Sequence, residues 1–160
     1  MMVPMPELLN AQKLKEYGIK GLSINLELHN QDIAKKIMPS KSRASRQRYL
    51  DFIAEAVPLF GEGNVRSLLL VGIEPMEDTL RGIEALAERG CDPVLSPFRP
   101  DPTTPMGNKN PPSVDFLVET YERAKDIVTK YRGVSLGPRC IPCMHNTLTF
   151  PDNSGKYYFH

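Results

Sequence analysis

Val65-Arg-Ser-Leu-Leu-Leu-Val71 is the stretch on which the fold turns. It is a nearly continuous apolar run of strand length, and such a run suits a strand covered on both faces, as in a parallel sheet. Gly72-Ile-Glu74-Pro75 breaks the run. A helix is then predicted from about Met76 to Arg89, with Leu80, Ile83, Leu86 and Ala87 as its apolar stripe and Gly90 placed to end it. Glu77 and Asp78 fall in its first turn, where the helix dipole favours acids. Cys91 to Ser96 reads as the next short strand.

On the other side of the run, Ile19 to Leu28 reads as a strand by alternation. Leu22, Ile24, Leu26 and Leu28 take one face, and Ser23, Asn25 and Glu27 the other. Four further helices complete the pattern: Pro6 to Tyr17; Asn30, as cap, to Met38; one capped by Ser42 or Ser45 and ending near Phe60; and Ser113, as cap, to about Tyr131. Pro58 is expected to disrupt the last turn of the third of these. Strands alternate with helices, so the class is α/β with three parallel strands and flanking helices. Residues 134–160 show little periodicity and read as an irregular tail after a unit spanning 1–133.

Composition narrows the function. The 160 residues carry 20 Lys+Arg against 19 Asp+Glu, a net charge of +1. That balance gives no electrostatic case for nucleic acid or a membrane surface. Neither a membrane span nor a secretory signal is apparent, so a cytoplasmic setting is expected. Three cysteines exclude a closed disulfide framework. Proline is abundant, at 15 residues, and six of them lie between Pro97 and Pro112.

In parallel α/β folds, ligands sit at the carboxyl ends of the strands. Here those ends carry Asn25, Glu27 and His29, then Gly72 and Glu74, then Ser96, Phe98 and Arg99. A glycine for close approach, with groups that bond hydroxyls and amines, suits a nucleoside. Asn25 and Glu27 read equally as solvated residues on an exposed sheet face.

Residues 18–43 (GIKGLSINLELHNQDIAKKIMPSKSR) and 65–105 (VRSLLLVGIEPMEDTLRGIEALAERGCDPVLSPFRPDPTTP) resemble the second half of a radical S-adenosylmethionine (radical SAM) enzyme core of the biotin synthase type. The likeness runs from about Leu8 to Met106. It implies a half TIM-type βα barrel. It also implies that Asn25-Leu-Glu27 holds the ribose hydroxyls of S-adenosylmethionine, since one carboxylate accepts two hydroxyl protons. Arg48, with Arg46 close behind, is implied at the ligand's carboxylate, which a guanidinium grips by two parallel bonds. Gly72, Glu74 and Phe98 are implied near the adenine. The glycine-rich element departs from the family pattern: Leu68 stands where a glycine is usual, and Glu74 follows Gly72 by two residues rather than three. Arg99 either binds an anionic substrate group or braces its loop. His29 either lines the site or is structural.

The family's Cys-x3-Cys-x2-Cys motif, which holds a [4Fe-4S] cluster, is absent from the sequence. Three strands do not close a barrel, and their sheet would expose an edge. The chain therefore reads as part of a split or truncated enzyme, as one of two chains that together complete the barrel, or as a module folding alone. In each enzymatic case a small-molecule substrate is implied. The other class of function is a non-catalytic binding or assembly subunit that completes its sheet with a partner or a second copy. Cys140-x2-Cys143-x-His145, with Cys91 as a further thiol, has ligand types for a metal such as zinc, and the resemblance implies an auxiliary iron–sulfur cluster there. The alternative is two reduced cysteines.

Overall fold

A computed structural model describes residues 10–137 and 147–148. In chain order the elements are α1 (Ala11–Glu16), β1 (Leu22–Ser23), α2 (Gln31–Ile37), a 3-10 turn (Lys41–Arg43), α3 (Arg46–Phe60), β2 (Val65–Val71), α4 (Met76–Ala87), β3 (Asp92–Pro97) and α5 (Val114–Val128). The three strands form one parallel sheet in the order β1-β2-β3. This is the α/β architecture expected: an open sheet flanked by helices, as in a segment of a βα barrel.

Side-chain caps set most helix starts. Asn10, Asn30, Ser45 and Ser113 each accept a backbone N–H from the first turn of α1, α2, α3 and α5. Asn10 caps a helix that the sequence reading began at Pro6, and residues 1–9 are not among those described. Pro58 does not end α3. The helix runs on to Phe60, and Gly61 N–H still donates to Val57 O at 2.9 Å. A proline removes its own N–H bond and crowds the carbonyl four residues back, but near a helix end the bonds after it survive.

The apolar run of β2 is not covered evenly. Val65, Ser67, Leu69 and Val71 are buried, whereas Arg66, Leu68 and Leu70 are half-buried. Leu69 faces α4, since a Cβ added to Gly82 of that helix would meet Leu69 Cδ2 at 3.4 Å. The helices therefore pack on one side of β2, and Leu68 and Leu70 turn to the other. The core between helices and sheet includes Phe52, Ile53, Leu69, Ile83, Leu86 and Leu95, all under 2% exposed. Each such side chain contributes about 1.5–3 kcal/mol by leaving water.

β1 departs most from the sequence reading. Its ladder pairs Leu22 with Val65 and Ser23 with Arg66, then resumes only where Glu27 bridges Leu69. Four steps along β1 match three along β2, so β1 holds one extra residue, a bulge. Side chains replace the interrupted backbone partners: Leu26 N–H donates to Ser67 Oγ at 2.9 Å, and Leu68 N–H donates to Asn25 Oδ1 at 3.4 Å. The simple alternation is lost, and Ile24, Asn25 and Leu26 are all buried.

The two sheet edges differ. Along β3, Gly137 N–H donates to Pro93 O at 2.8 Å, Leu148 N–H to Leu95 O at 2.7 Å, and Ser135 N–H to Asp92 Oδ1 at 2.8 Å. Three described residues of the segment read as an irregular tail, Ser135, Gly137 and Leu148, thus lie against this edge. Among the described residues, no strand lies beyond β1. No described helix is long and apolar enough to cross a membrane.

Candidate functional site at the carboxyl ends of the strands

The strand ends are drawn together by backbone and by one buried carboxylate. Glu27 N–H donates to Leu68 O, and Leu70 N–H donates to Glu27 O, both at 2.8 Å. Phe98 N–H donates to Val71 O at 2.9 Å, which brings the end of β3 beside that of β2. Glu74, 3% exposed, accepts from His29 N–H at 3.1 Å, Asn30 N–H at 2.7 Å and the Thr79 hydroxyl at 3.3 Å. Its carboxylate therefore locks the turn between β1 and α2 onto the turn between β2 and α4. Burial pushes its pKa above the ordinary range, and the two backbone N–H groups and the Thr79 hydroxyl pull the other way.

A second layer supports this corner. Asn30 Nδ2 donates to Asp78 Oδ2 at 2.9 Å, while Asn30 Oδ1 caps α2. The Asn30 amide and then Arg81 hold Asp78 below the usual carboxylate range, against the opposing pull of burial. Arg46 Nη1 donates to His29 O at 2.9 Å. The His29 Cβ lies against α4, 3.1 Å from where a Cβ on Gly82 would stand. His29 Nδ1 is buried and makes no hydrogen bond among the described residues. Its pKa is lowered to about 4, first by burial, then by Arg46 and Arg81, with Asp78 opposing.

That shift predicts a pH dependence. The unfolded imidazole protonates near its ordinary 6.5 while the folded one resists down to about 4. The unfolded state binds more protons in that window, so stability is complete above about 6.5 and falls as pH drops towards 4. We expect a loss of about 2 kcal/mol, allowing for a ring only partly buried. Raised acids such as Glu74 slope the opposite way, so the comparison is between urea midpoints of the wild type and His29→Gln at pH 7 and pH 4.5. The variant should lose less stability across the interval, and parallel losses would refute the assignment.

Glu27 is the one non-glycine residue with positive φ among the described residues, at 67°. Left-handed backbone costs a non-glycine residue on the order of 1–3 kcal/mol and persists only where the surroundings enforce it. Here the backbone is tied to β2 on both sides. The side chain is tied too: Lys41 Nζ donates to Glu27 Oε1 at 3.0 Å, with the two side chains 19% and 17% exposed. Lys41 sits in the 3-10 turn before α3, with its ammonium 5.8 Å from the Tyr49 ring centroid. It borders a half-open recess lined also by Leu26, Leu28, Met38 and Arg46.

The residues singled out from sequence divide accordingly. Glu74 meets the His29 backbone two residues beyond Glu27, whose own carboxylate meets Lys41, with Gly72 and Phe98 on the adjoining strand ends. Asn25 Oδ1 is committed to Leu68 N–H and the Ser23 hydroxyl, so its remaining capacity is the Nδ2 amine. Gly72 has φ 97°, and the space a Cβ would fill is taken by the Pro112 ring, 2.7 Å away. The proline-rich loop, not an open cleft, therefore lies against that side of Gly72. Arg46 joins the corner, whereas Arg48 is exposed on α3. Arg99 is exposed and Phe98 half-buried.

Cys140, Cys143 and His145 lie outside the described residues. Cys91 is fully buried, and burial, with Asp92 beside it, pushes its thiol pKa well up, which disfavours the thiolate that a metal needs. No three His, Cys, Asp or Glu side chains among the described residues are grouped to hold a metal. Sequence reasoning missed Lys41, Ser67, Thr79 and Asp78 as partners at the site. Their signal is purely tertiary, since each meets a residue from another element or across a turn.

No family model matches the chain. It is similar to a bacteriochlorophyllide c C-7(1)-hydroxylase of Chlorobaculum limnaeum, 32% identical over 131 residues. The match takes in 81% of this chain and 33% of the hydroxylase, so the chain spans about a third of that relative's length.

Proposed function

We propose that the chain supplies the C-terminal half of a radical SAM enzyme core, with residues 1–133 as the half barrel and 134–160 as its tail. The ends of β1, β2 and β3 then receive the adenosyl part of S-adenosylmethionine. The observation that carries the reading is the convergence of Glu27, His29, Glu74 and the Gly72 turn at the carboxyl end of one parallel sheet, with Glu27 held in left-handed backbone.

The residues present suit that ligand in part. Glu27 Oε2 is not sealed from solvent and has no partner among the described residues, so it can accept a ribose hydroxyl. The Asn25 Nδ2 amine can donate to an oxygen of the same ring. Arg46 spends one N–H on His29 O and keeps others for an anionic group. Bound beside a reduced [4Fe-4S] cluster, S-adenosylmethionine supplies one-electron chemistry that breaks an unactivated C–H bond. Breaking such a bond is the demand implied by a relative named as a hydroxylase. Among the described residues no group of three His, Cys, Asp or Glu side chains is placed to hold a metal. In this reading the cluster belongs to further sequence, in the same protein or a second chain, that pairs along β1. A small molecule with a C–H bond to be attacked is the substrate.

Nuclear magnetic resonance of the labelled chain tests the reading. Titration with S-adenosylmethionine should shift the amides of Glu27, Gly72 and Phe98 and leave those of Leu22, Val65 and Asp92 at the opposite strand ends. Shifts confined to the opposite ends, or none at millimolar ligand, would overturn it. The edge of β1, beyond which no strand lies among the described residues, favours a second reading, a non-catalytic subunit that completes its sheet with a partner. A stable dimer by light scattering, together with silence in the titration, is the result that selects it.

A further inference from the structure

We propose that Lys41 is the positioning residue for Glu27, fixing one carboxylate oxygen so that the other is presented to a vicinal diol. This rests on the reading of the strand ends as an adenosyl site and deepens it. Three observations support it. Glu27 is pinned in left-handed backbone by Leu68 and Leu70, which fixes where its side chain leaves the sheet. Its carboxylate is then held at one oxygen only, by a lysine that is itself mostly buried. The second oxygen remains open.

Burial works against charge on Lys41, and Glu27 opposes that effect by attraction and by hydrogen bonding. The ammonium also lies near the Tyr49 ring face, a further site of attraction for a cation. The lysine is thus held in place from two sides, and a held donor fixes a carboxylate better than a solvated one. An unheld Glu27 would spread over several rotamers, and a diol would lose affinity by having to order it.

The experiment compares adenosine with 2′,3′-dideoxyadenosine on the full chain, with affinities read from amide shifts. Wild type should prefer adenosine. Lys41→Met should weaken adenosine about tenfold and bring the ratio of the two affinities close to one. Lys41→Arg, which keeps a charged donor, should restore the preference. A general structural defect would weaken both ligands alike and leave the ratio intact. A Lys41→Met protein that keeps the wild-type ratio overturns the proposal and leaves the adenosyl site standing. A wild type that fails to distinguish the two nucleosides overturns both. Should Lys41→Met fail to fold, the wild-type Lys41 Nζ resonance decides. It should shift with adenosine and not with the dideoxy compound, and an unmoved signal overturns the proposal.

Discussion

Replacing Glu74 with alanine should destabilise the protein by about 3–4 kcal/mol. The carboxylate is buried and accepts from two backbone N–H groups and a hydroxyl. Bonds to a charged acceptor are worth about 1.5–3 kcal/mol, and alanine would also leave the His29 and Asn30 amides without their acceptor. The side chain ties two strand ends together, so the loss should be local as well as global. Amide exchange at His29 and Asn30 should quicken more than at core positions such as Leu69. Glu74→Gln keeps an acceptor oxygen and the volume, and should lose about half as much. Urea denaturation of the three proteins measures this. An alanine variant within 1 kcal/mol of wild type would mean that water replaces the carboxylate without loss.

Gly72→Ala should lose about 2–4 kcal/mol through two separable causes. A backbone φ of 97° is unfavourable for any residue with a Cβ, and that Cβ would stand 2.7 Å from Pro112 Cγ. The steric part is relieved by Pro112→Ala, and the conformational part is not. The double variant should therefore be more stable than the sum of the single effects allows, with a coupling of about 1–2 kcal/mol. Strict additivity would show that Pro112 yields freely. Because Pro112 anchors the loop over the strand ends, the single variant should also perturb the amide signals of Phe98.

Periodicity and caps made much of the framework readable. The run Val65–Val71 matches β2 end for end, Asn30 and Ser113 cap the helices they were expected to cap, and of the two candidates Ser42 and Ser45 it is Ser45 that caps α3. The α4 stripe of Leu80, Ile83, Leu86 and Ala87 is buried as its spacing requires. Failures cluster where a long-range partner overrides a local pattern. Alternation placed Asn25 and Glu27 side by side on a polar face. The bulge instead buries Asn25 between strands and turns Glu27 into left-handed backbone. Glu74, expected near a ligand, bonds backbone groups 44 and 45 residues away in sequence, partners no local pattern shows. Arg48 was preferred over Arg46, yet of these two neighbours in the first turn of α3 it is Arg46 that bonds His29 O, while Arg48 is exposed.

The second and third strands and the helical faces were written into the chain itself, because the spacing of apolar side chains and the capping residues act over a few positions. Which polar groups meet at the strand ends was settled only by folding. A one-residue slip between β1 and β2, and the buried hydrogen bonds that make it tolerable, depend on chain segments some 40 residues apart, and no local pattern carries that information.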